Sequence, residues 1–244
     1  MKAFGISDKG SVRKENQDTF RLSLSEREDT LCAVLCDGMG GAQAGSVASS
    51  IAADTFMSHA ANSLDSSSDA FDMRQILKEA VNYANIKVYD RSFADFSCMG
   101  MGCTIAALLI NGKRCVVANV GDSRSYLIGK RKIQQISVDH SLVEEMLSRG
   151  EISAEEAKNH PQKNIITRAI GVEASVRTDI FDLKLSPGNR ILLCSDGLSN
   201  VLSDNEILSI SSSCEEPEEA CIKMLEECLR RGAPDNVTVF IAER

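Results

Sequence analysis

Tryptophan is absent from this chain of 244 residues, aromatic residues make up only 5% of it, and there are just 3 histidines. A core without tryptophan has to be built mainly from aliphatic side chains and methionine, and apolar residues of all kinds reach 43%. Charged residues add 25%, which is the composition of a globular rather than a disordered protein. The few histidines leave little material for serine–histidine catalysis, and the Gly-x-Ser-x-Gly motif of many hydrolases is missing.

The chain also lacks an excess of basic charge. Its 27 lysines and arginines against 35 aspartates and glutamates give a net charge of −8. A protein that binds the phosphate backbone of nucleic acid needs a basic surface, so we expect no nucleic-acid partner. The same charge is compatible with an enzyme that handles phosphate through a bound metal ion.

Long apolar runs and paired cysteine motifs are missing as well. The longest apolar segments, such as 31–36 and 105–110, hold about six residues, far below the ~18 that would indicate a membrane span. The first residues carry no apolar stretch of the kind found in signal peptides. The 9 cysteines are scattered without a Cys-x-x-Cys pair, which argues against a zinc ribbon or a thioredoxin-type site. We therefore expect a cytoplasmic protein with free thiols and no membrane partner.

Apolar runs of strand length occupy much of the chain, together with two long helical patterns. Strands are predicted at 19–24, 30–36, 103–110, 114–119, 123–128, 132–137, 176–185, 190–194 and 236–242. Helices are predicted at 46–61, 70–91 and 218–231. Capping-box signatures begin at Ser141, Ser153 and Ser203, and the first two open short helices in a polar insert at 139–171. Because strands and helices do not alternate regularly, we predict an α+β sandwich of antiparallel sheets.

Aspartates recur where predicted strands begin or end, and most of them have a glycine or asparagine beside them. Strands bring distant residues to one sheet edge, where several carboxylates would repel each other unless a cation neutralised them. Hard oxygen ligands in that number suit Mg²⁺ or Mn²⁺. Asp-Gly after a strand is also an ordinary turn, so the pattern alone leaves a metal site and independent turns both open. The aspartates concerned are Asp18, Asp37, Asp122, Asp196 and Asp235.

Other ways of handling phosphate find no support in the sequence. No cysteine is followed six positions later by arginine, as the loop of cysteine phosphatases requires, and no Asp-x-Asp marks an aspartyl-phosphate enzyme. The glycine-rich stretch 38–45 is not followed by Lys-Ser or Lys-Thr, so it is not a nucleotide P-loop.

Eight segments, taken in order, carry a resemblance to a known family. Each is weak alone, but the ordered set spans residues 10–238 and is highly specific. The chain resembles the metal-dependent Ser/Thr protein phosphatases of type 2C in their compact bacterial form. The matching segments are 10–18, 36–41, 101–104, 118–126, 139–141, 160–171, 194–198 and 234–238.

The resemblance implies a fold, a site and a reaction. The fold is a four-layer α/β/β/α sandwich, formed by a single catalytic domain over 1–244 with a flap-like insert near 139–171. Two ions of Mn²⁺ or Mg²⁺ are implied, with a third in bacterial relatives, and a metal-bridging hydroxide that attacks phosphorus directly without a phospho-enzyme. The implied catalytic residues are Arg13, Asp37 and Asp196.

The resemblance also implies individual roles for the site residues. Asp37 bridges the two ions, Asp196 and Asp235 bind one of them, and the Gly38 carbonyl helps to bind the other. The remaining roles fall to Asp18, which holds a metal-bound water, to Asp122, a ligand of the third ion, and to Arg13, which binds the substrate phosphate through its planar fork. The implied partners are phosphoprotein substrates of a Ser/Thr kinase, and we expect a monomer.

Two departures from the family pattern bear on function. Ala42 stands where bacterial relatives commonly carry a histidine, Met39 stands where animal relatives carry one, and Gln17 replaces a glutamate of animal members. That histidine is often proposed as the general acid for the leaving group. Its absence keeps open a catalytically weak metal- or phosphopeptide-binding regulator of the same fold. A small-molecule phosphomonoesterase also stays open, because it would share the site and differ only in substrate.

We predict that Ala42→His raises phosphate release from phosphoserine peptides more than from aryl phosphates. An alkoxide leaving group needs a proton and an aryloxide needs one far less, and general acid catalysis contributes ~10²–10⁴-fold. The measurement is kcat on both substrates for the natural chain and the variant. Equal effects on the two substrates would contradict a missing general acid.

Overall fold

The computed structural model describes residues 1–25, 29–40, 44–65 and 72–244. Its strands are β1 (Lys2–Asp8), β2 (Asp18–Leu24), β3 (Thr30–Met39), β4 (Gly102–Cys103), β5 (Ile105–Asn111), β6 (Arg114–Val120), β7 (Arg124–Ile128), β8 (Ile133–Gln135), β9 (Asp179–Lys184), β10 (Arg190–Cys194) and β11 (Val237–Glu243). Its α-helices are α1 (Ala44–Asp65), α2 (Met73–Ala94), α3 (Leu142–Ser148), α4 (Ala154–Lys158), α5 (Asp196–Ser199), α6 (Asp204–Ser213) and α7 (Pro217–Arg230).

The strands form two sheets in which neighbouring strands run antiparallel. One sheet has the order β1-β11-β10-β7-β8, and the other has the order β2-β3-β5-β6-β9 with the short β4 paired to β3. Helices α1 and α2 cover the second sheet, and α5 to α7 cover the first. The predicted α+β sandwich of antiparallel sheets, with its four α/β/β/α layers, is confirmed.

Strand β5 contributes side chains to an apolar core on each of its two faces and so joins the layers. All of its residues from 105 to 110 are buried, because one face meets the helices α1 and α2 and the other meets the first sheet. Ile105, Ala107 and Leu109 join the core beneath α1 and α2. The alternate residues, such as Leu108, join the core between the sheets, where Phe240 of β11 packs. Burial on both faces is why this strand reads as one continuous apolar run.

The predicted elements are found, with shifted ends. Helix α1 extends beyond the predicted 46–61 on both sides, and β9 is shorter than the predicted 176–185. The predicted helix at 70–91 begins at Met73 in the structure, and its first two predicted positions lie outside the described residues. The sequence interpretation missed β1, a half-buried strand that pairs with β11 along its whole length. It also missed the one-turn helix α5.

The polar insert at 139–171 carries α3 and α4, neither of which has a buried residue. Ser141 caps α3, where its hydroxyl accepts a hydrogen bond from the Glu144 N–H at 3.3 Å, and Ser153 forms a reciprocal capping box with Glu156. The insert is tied to the sheets at its end, where Ile170 and Cys103 exchange backbone hydrogen bonds of 2.8 and 3.1 Å. The insert is therefore a surface segment whose C-terminal end is fixed to the sheets.

Arg190 is a buried cation that joins the start of β10 to the turn between α6 and α7. It is 7% exposed and forms an ion pair with Glu243 of β11. Its guanidinium also donates to the backbone carbonyls of Cys214 at 3.0 Å and Glu215 at 2.8 Å.

We predict that Arg190→Met lowers the free energy of unfolding by about 3 kcal/mol, because it leaves a carboxylate and several carbonyls without their donor. The matched control is Arg21→Met, which removes an exposed ion pair with Asp54 and changes that free energy by less than about 1 kcal/mol. Urea denaturation of both variants measures the difference. Equal losses would show that Arg190 is not a structural anchor.

Candidate metal centre

Five aspartates from different parts of the chain meet at one end of the two sheets. Antiparallel pairing of β2 with β3 sets Asp18 opposite Asp37. Cys194 at the end of β10 pairs with Val239 of β11 and with Arg124 of β7, which brings together the segments that flank these strand ends. Those segments carry the remaining aspartates of the group, Asp122, Asp196 and Asp235. The carboxylates interact electrostatically, since Asp37 is influenced by all four others.

The backbone of Asp37 is fixed by two hydrogen bonds to Thr104. Its N–H donates to Thr104 Oγ1 at 2.9 Å, and its carbonyl accepts from the Thr104 N–H at 2.8 Å. Thr104 Oγ1 lies 2.7 Å from Ser123 Oγ, next to Asp122 in the chain. Gly38 follows, and a Cβ there would lie 2.1 Å from the Gly45 carbonyl oxygen, so a side chain cannot fit. The glycine therefore permits the close approach of α1 to the end of β3.

Asn236 holds the N-terminal loop against the site. Its Nδ2 donates to the carbonyls of Lys9 and Glu15, both at 2.9 Å, and its Oδ1 accepts from the Gln17 N–H at 2.8 Å. Its carbonyl oxygen lies 1.9 Å from where a Cβ on Gly197 would be, so α5 begins in direct contact with β11. Asn236, beside Asp235, therefore anchors the N-terminal loop to the site and is more than an ordinary turn residue.

The side chain of Asp18 links the two sheets through one of its two carboxylate oxygens. Its Oδ2 accepts a hydrogen bond of 2.7 Å from Thr238 Oγ1 of β11. Its Oδ1 is buried and has no hydrogen-bond partner among the described residues. A buried, unpartnered carboxylate oxygen is unfavourable unless a cation or water meets it.

Burial and crowding raise the pKa values of four aspartates, Asp18, Asp37, Asp122 and Asp196, above their ordinary range. Desolvation is the largest cause throughout, and repulsion from neighbouring carboxylates adds to it. The pKa of Asp18 rises to about 6, that of Asp122 to about 6 and that of Asp196 to about 7. The pKa of Asp37 is raised well above its usual value by burial and by the charges of Asp18 and Asp196.

Arg13 lies at the edge of this carboxylate cluster. Its Nη2 forms an ion pair of 2.6 Å with Asp235 Oδ2, and the pKa of the guanidinium is raised first by that hydrogen bond and further by Asp196 and Asp37. The structure therefore places Arg13 beside the other predicted site residues, bound to one of the predicted metal ligands. Its role in binding phosphate stays a prediction.

The donor set suits a hard divalent cation. Carboxylates dominate it, and the unpartnered Asp18 Oδ1 and the raised pKa values both mark uncompensated negative charge. Within the described ranges, no three acidic, thiol or imidazole side chains already form a closed ligand group. Repulsion between like charges opposes such closure, and Arg13 holds Asp235 in its own ion pair.

His140 supports the loop that carries Asp122. The imidazole is buried, and its Nδ1 accepts a hydrogen bond of 2.9 Å from the Gly121 N–H. Its Nε2 lies 2.8 Å from Arg168 Nη1 and 3.3 Å from Asp179 Oδ2. Burial lowers the pKa of His140, which keeps it neutral as an acceptor for the backbone.

Several supporting residues were not singled out as site residues from the sequence. Three of them supply hydroxyl or amide groups that hold the aspartates or the N-terminal loop in place. In the sequence they could have been found only by their position inside or beside a matched motif, because no spacing of charged residues marks them. They are Thr104, Asn236 and Thr238. Ala42, whose identity bears on the general acid, lies outside the described residues, whereas Met39 ends β3.

Comparison with known proteins agrees with this architecture. A model of the family described as protein phosphatase 2C matches residues 10–237, so the chain belongs to the protein phosphatase 2C family. The serine/threonine phosphatase stp of Listeria monocytogenes serotype 4b is 35% identical over 238 residues, which cover 98% of this chain and 94% of that relative.

Solved structures extend the similarity to the whole fold. The crystal structure of the serine/threonine phosphatase Stp1 from Staphylococcus aureus matches with a TM-score of 0.90 at 34% identity, covering 99% of this chain and 94% of that one. The catalytic domain of the serine threonine protein phosphatase PstP, in complex with 2 manganese ions, matches with a TM-score of 0.85 at 33% identity, covering 99% and 97%. Among the helices that the structure describes, none is long and apolar enough to cross a membrane.

We predict that the metal-free protein loses stability between about pH 4 and pH 7. Unfolded aspartates ionise near pH 3.9, whereas folded Asp18, Asp122 and Asp196 keep their protons to about pH 6 to 7, so the folded state binds more protons in this window. The free energy of unfolding therefore falls as pH rises. Urea denaturation in chelator across this range measures the slope.

Asp196→Asn removes one of the repelling charges and should raise the free energy of unfolding at pH 7.5 in chelator by about 2 kcal/mol. The control is Asp90→Asn on the exposed face of α2, with an effect within about 0.5 kcal/mol. A destabilised Asp196→Asn protein would show that the carboxylates do not repel each other in the folded state.

Proposed function

We propose that this chain is a Mg²⁺- or Mn²⁺-dependent protein serine/threonine phosphatase. The observation that carries the proposal is the group of five aspartates at one end of two sheets, four of them with raised pKa values. Membership of the protein phosphatase 2C family and relatives named as serine/threonine phosphatases support the same activity.

In this proposal each aspartate has its own position relative to the ions. The charges of the other four aspartates all act on Asp37, which would contribute to both ions, while Asp196 and Asp235 would hold one of them and the Gly38 carbonyl would hold the other. Asp18 presents its unpartnered oxygen to a bound water. Asp122 is the natural ligand of a third ion, since it approaches the cluster from the turn between β6 and β7.

Two divalent ions at such a site supply Lewis acidity, lower the pKa of water towards neutrality and stabilise charge in an in-line displacement. The protein's own part is to hold the reacting groups in place. Arg13 can exchange Asp235 for phosphate oxygens, because its planar guanidinium matches either partner. Thr104 and Thr238 keep Asp37 and Asp18 from moving apart under repulsion.

We propose one catalytic domain over 1–244, with the insert at 139–171 as a flap, because α3 and α4 lie on the surface without buried residues. The substrates are phosphoproteins made by a Ser/Thr kinase. All 9 cysteines are free and buried, which fits a reducing cytoplasm. We propose a monomer that acts in signalling.

A catalytically weak regulator of the same fold is the second candidate. Arg13 bound to Asp235 favours it, since this arrangement leaves the predicted phosphate ligand occupied by a predicted metal ligand. The sequence at Ala42 points the same way, because no histidine stands there. A small-molecule phosphomonoesterase would share the site and differ in substrate only.

We predict that Asp37→Asn and Asp196→Asn each lower Mn²⁺-dependent phosphate release from a phosphothreonine peptide by about a thousandfold. Each variant removes a charge that holds the ions, and such ions contribute several kcal/mol to the transition state. The measurement is kcat with Mn²⁺, with Mg²⁺ and with chelator, on the peptide and on an aryl phosphate.

Asp90→Asn is the matched control, because it makes the same chemical change at an exposed position on α2. Release that persists in chelator, or that survives Asp37→Asn, would contradict the metal-dependent mechanism. Metal binding without release from either substrate would favour the regulator.

A further inference from the structure

A cavity of about 310 Å³ lies next to the carboxylate cluster, between the end of β3 and the chain that follows the insert. Half of its lining residues are apolar and half are polar, and the polar half includes one acidic and two basic side chains. Its lining includes Met39, Val172, Glu173, Ser175, Val176 and Arg177. A volume of this size fits one or two aliphatic side chains, and pockets that take ligands are commonly apolar with a few polar groups.

The far wall of the cavity is held rigidly from below. Asn85 of α2 is fully buried; its Oδ1 accepts from the Gly171 N–H at 2.8 Å, and its Nδ2 donates to the Glu173 carbonyl at 3.0 Å. The oxygen and the nitrogen of the Asn85 amide therefore both form hydrogen bonds with the backbone, one on each side of Val172. Val172 itself is 54% exposed, so an apolar side chain is held at the surface by a buried polar residue.

Met39 forms the near wall and links the cavity to the site. A Cβ on Gly102 would lie 2.8 Å from Met39 Cε and 3.1 Å from Val172 Cγ2, so the two methyl groups flank the same point above β4. Met39 is two residues beyond Asp37 on β3, and alternate side chains of a strand share a face. Two residues of strand span about 7 Å.

That spacing matches a bound peptide. An extended peptide also advances about 3.4 Å per residue, so a phosphorylated residue at Asp37 places a side chain one or two residues away over the cavity. The charges on the walls do not select one sign, because Glu173 and Arg177 both line it and Arg168 is engaged by Asp179 at 2.9 Å. Apolar contact is therefore the recognition that the walls offer.

We propose that this cavity is a substrate subsite, which takes an aliphatic side chain of the phosphoprotein within two residues of the phosphorylated one. The inference rests on the proposed phosphatase function and adds a sequence preference to it. Met39, Val172 and Val176 are the specificity-determining residues, and Asn85 is a positioning residue that acts through the backbone at 171–173.

The test compares two phosphothreonine peptides that differ only in the residues flanking the phosphothreonine, leucine in one and serine in the other. We expect the natural chain to prefer the leucine peptide by about tenfold in kcat/KM, since burial of one aliphatic side chain supplies a factor of that order. The preference should lie mainly in KM, because the contact is made equally in the bound and transition states.

Two variants remove the subsite and one matches them outside it. Ser175→Trp fills the cavity and Val172→Asp places a charge on its wall, and each should reduce the preference to about one. Ala174→Trp adds the same bulk at an exposed neighbouring position outside the lining and should keep the tenfold preference. Each preference is a ratio within one protein, so general losses of activity cancel.

The outcomes separate the subsite from the phosphatase assignment. Equal kcat/KM for the two peptides in the natural chain, or a preference that survives both Ser175→Trp and Val172→Asp, would overturn the subsite while leaving the phosphatase intact. No release from either peptide or from an aryl phosphate would overturn the phosphatase assignment and the subsite with it.

Discussion

Like charges brought together at one partly buried end of the two sheets are the constraint on which this structure depends. The pKa values of Asp18, Asp37, Asp122 and Asp196 are each raised first by burial, and the charges of neighbouring carboxylates add to the shift. Such a cluster opposes folding at neutral pH, because the folded state must either keep protons or hold repelling charges. A divalent cation relieves both, so the same feature that destabilises the metal-free protein supplies affinity for metal.

Residues from both sheets are needed to assemble this cluster, and the fold holds the two sheets together at the end where the aspartates meet. The sheet of β3 contributes Asp18 and Asp37, and the sheet of β11 brings Asp196 and Asp235 to the same end. The hydrogen bond from Thr238 to Asp18 crosses between the sheets and fixes their relative position at the site. The close-packed apolar core between the sheets fixes the distance between them, so the carboxylates cannot move apart.

Local patterns predicted the fold where the chemistry is local. The apolar runs of β3 and β5 marked buried strands, and Ser153 and Ser203 marked helix starts, because capping is a matter of neighbouring residues. Strand β1 gave no such signal, since its half-buried residues become a strand through pairing with β11, more than two hundred positions away. The same limit applies to the site: its aspartates were found as strand-end residues, whereas the ion pair of Arg13 with Asp235 depends on the folded arrangement.

The most direct test of a cation-compensated charge cluster is calorimetric titration of Mn²⁺ into the metal-free protein at pH 6.5, repeated in buffers of different ionisation enthalpy. Carboxyl groups with pKa values of about 6 to 7 are partly protonated at this pH, so Mn²⁺ must displace protons as it binds. We predict the release of at least about one proton per protein, and a smaller release at pH 8. Mn²⁺ binding with no proton release at pH 6.5, or no binding at all, would contradict a metal centre built on repelling aspartates.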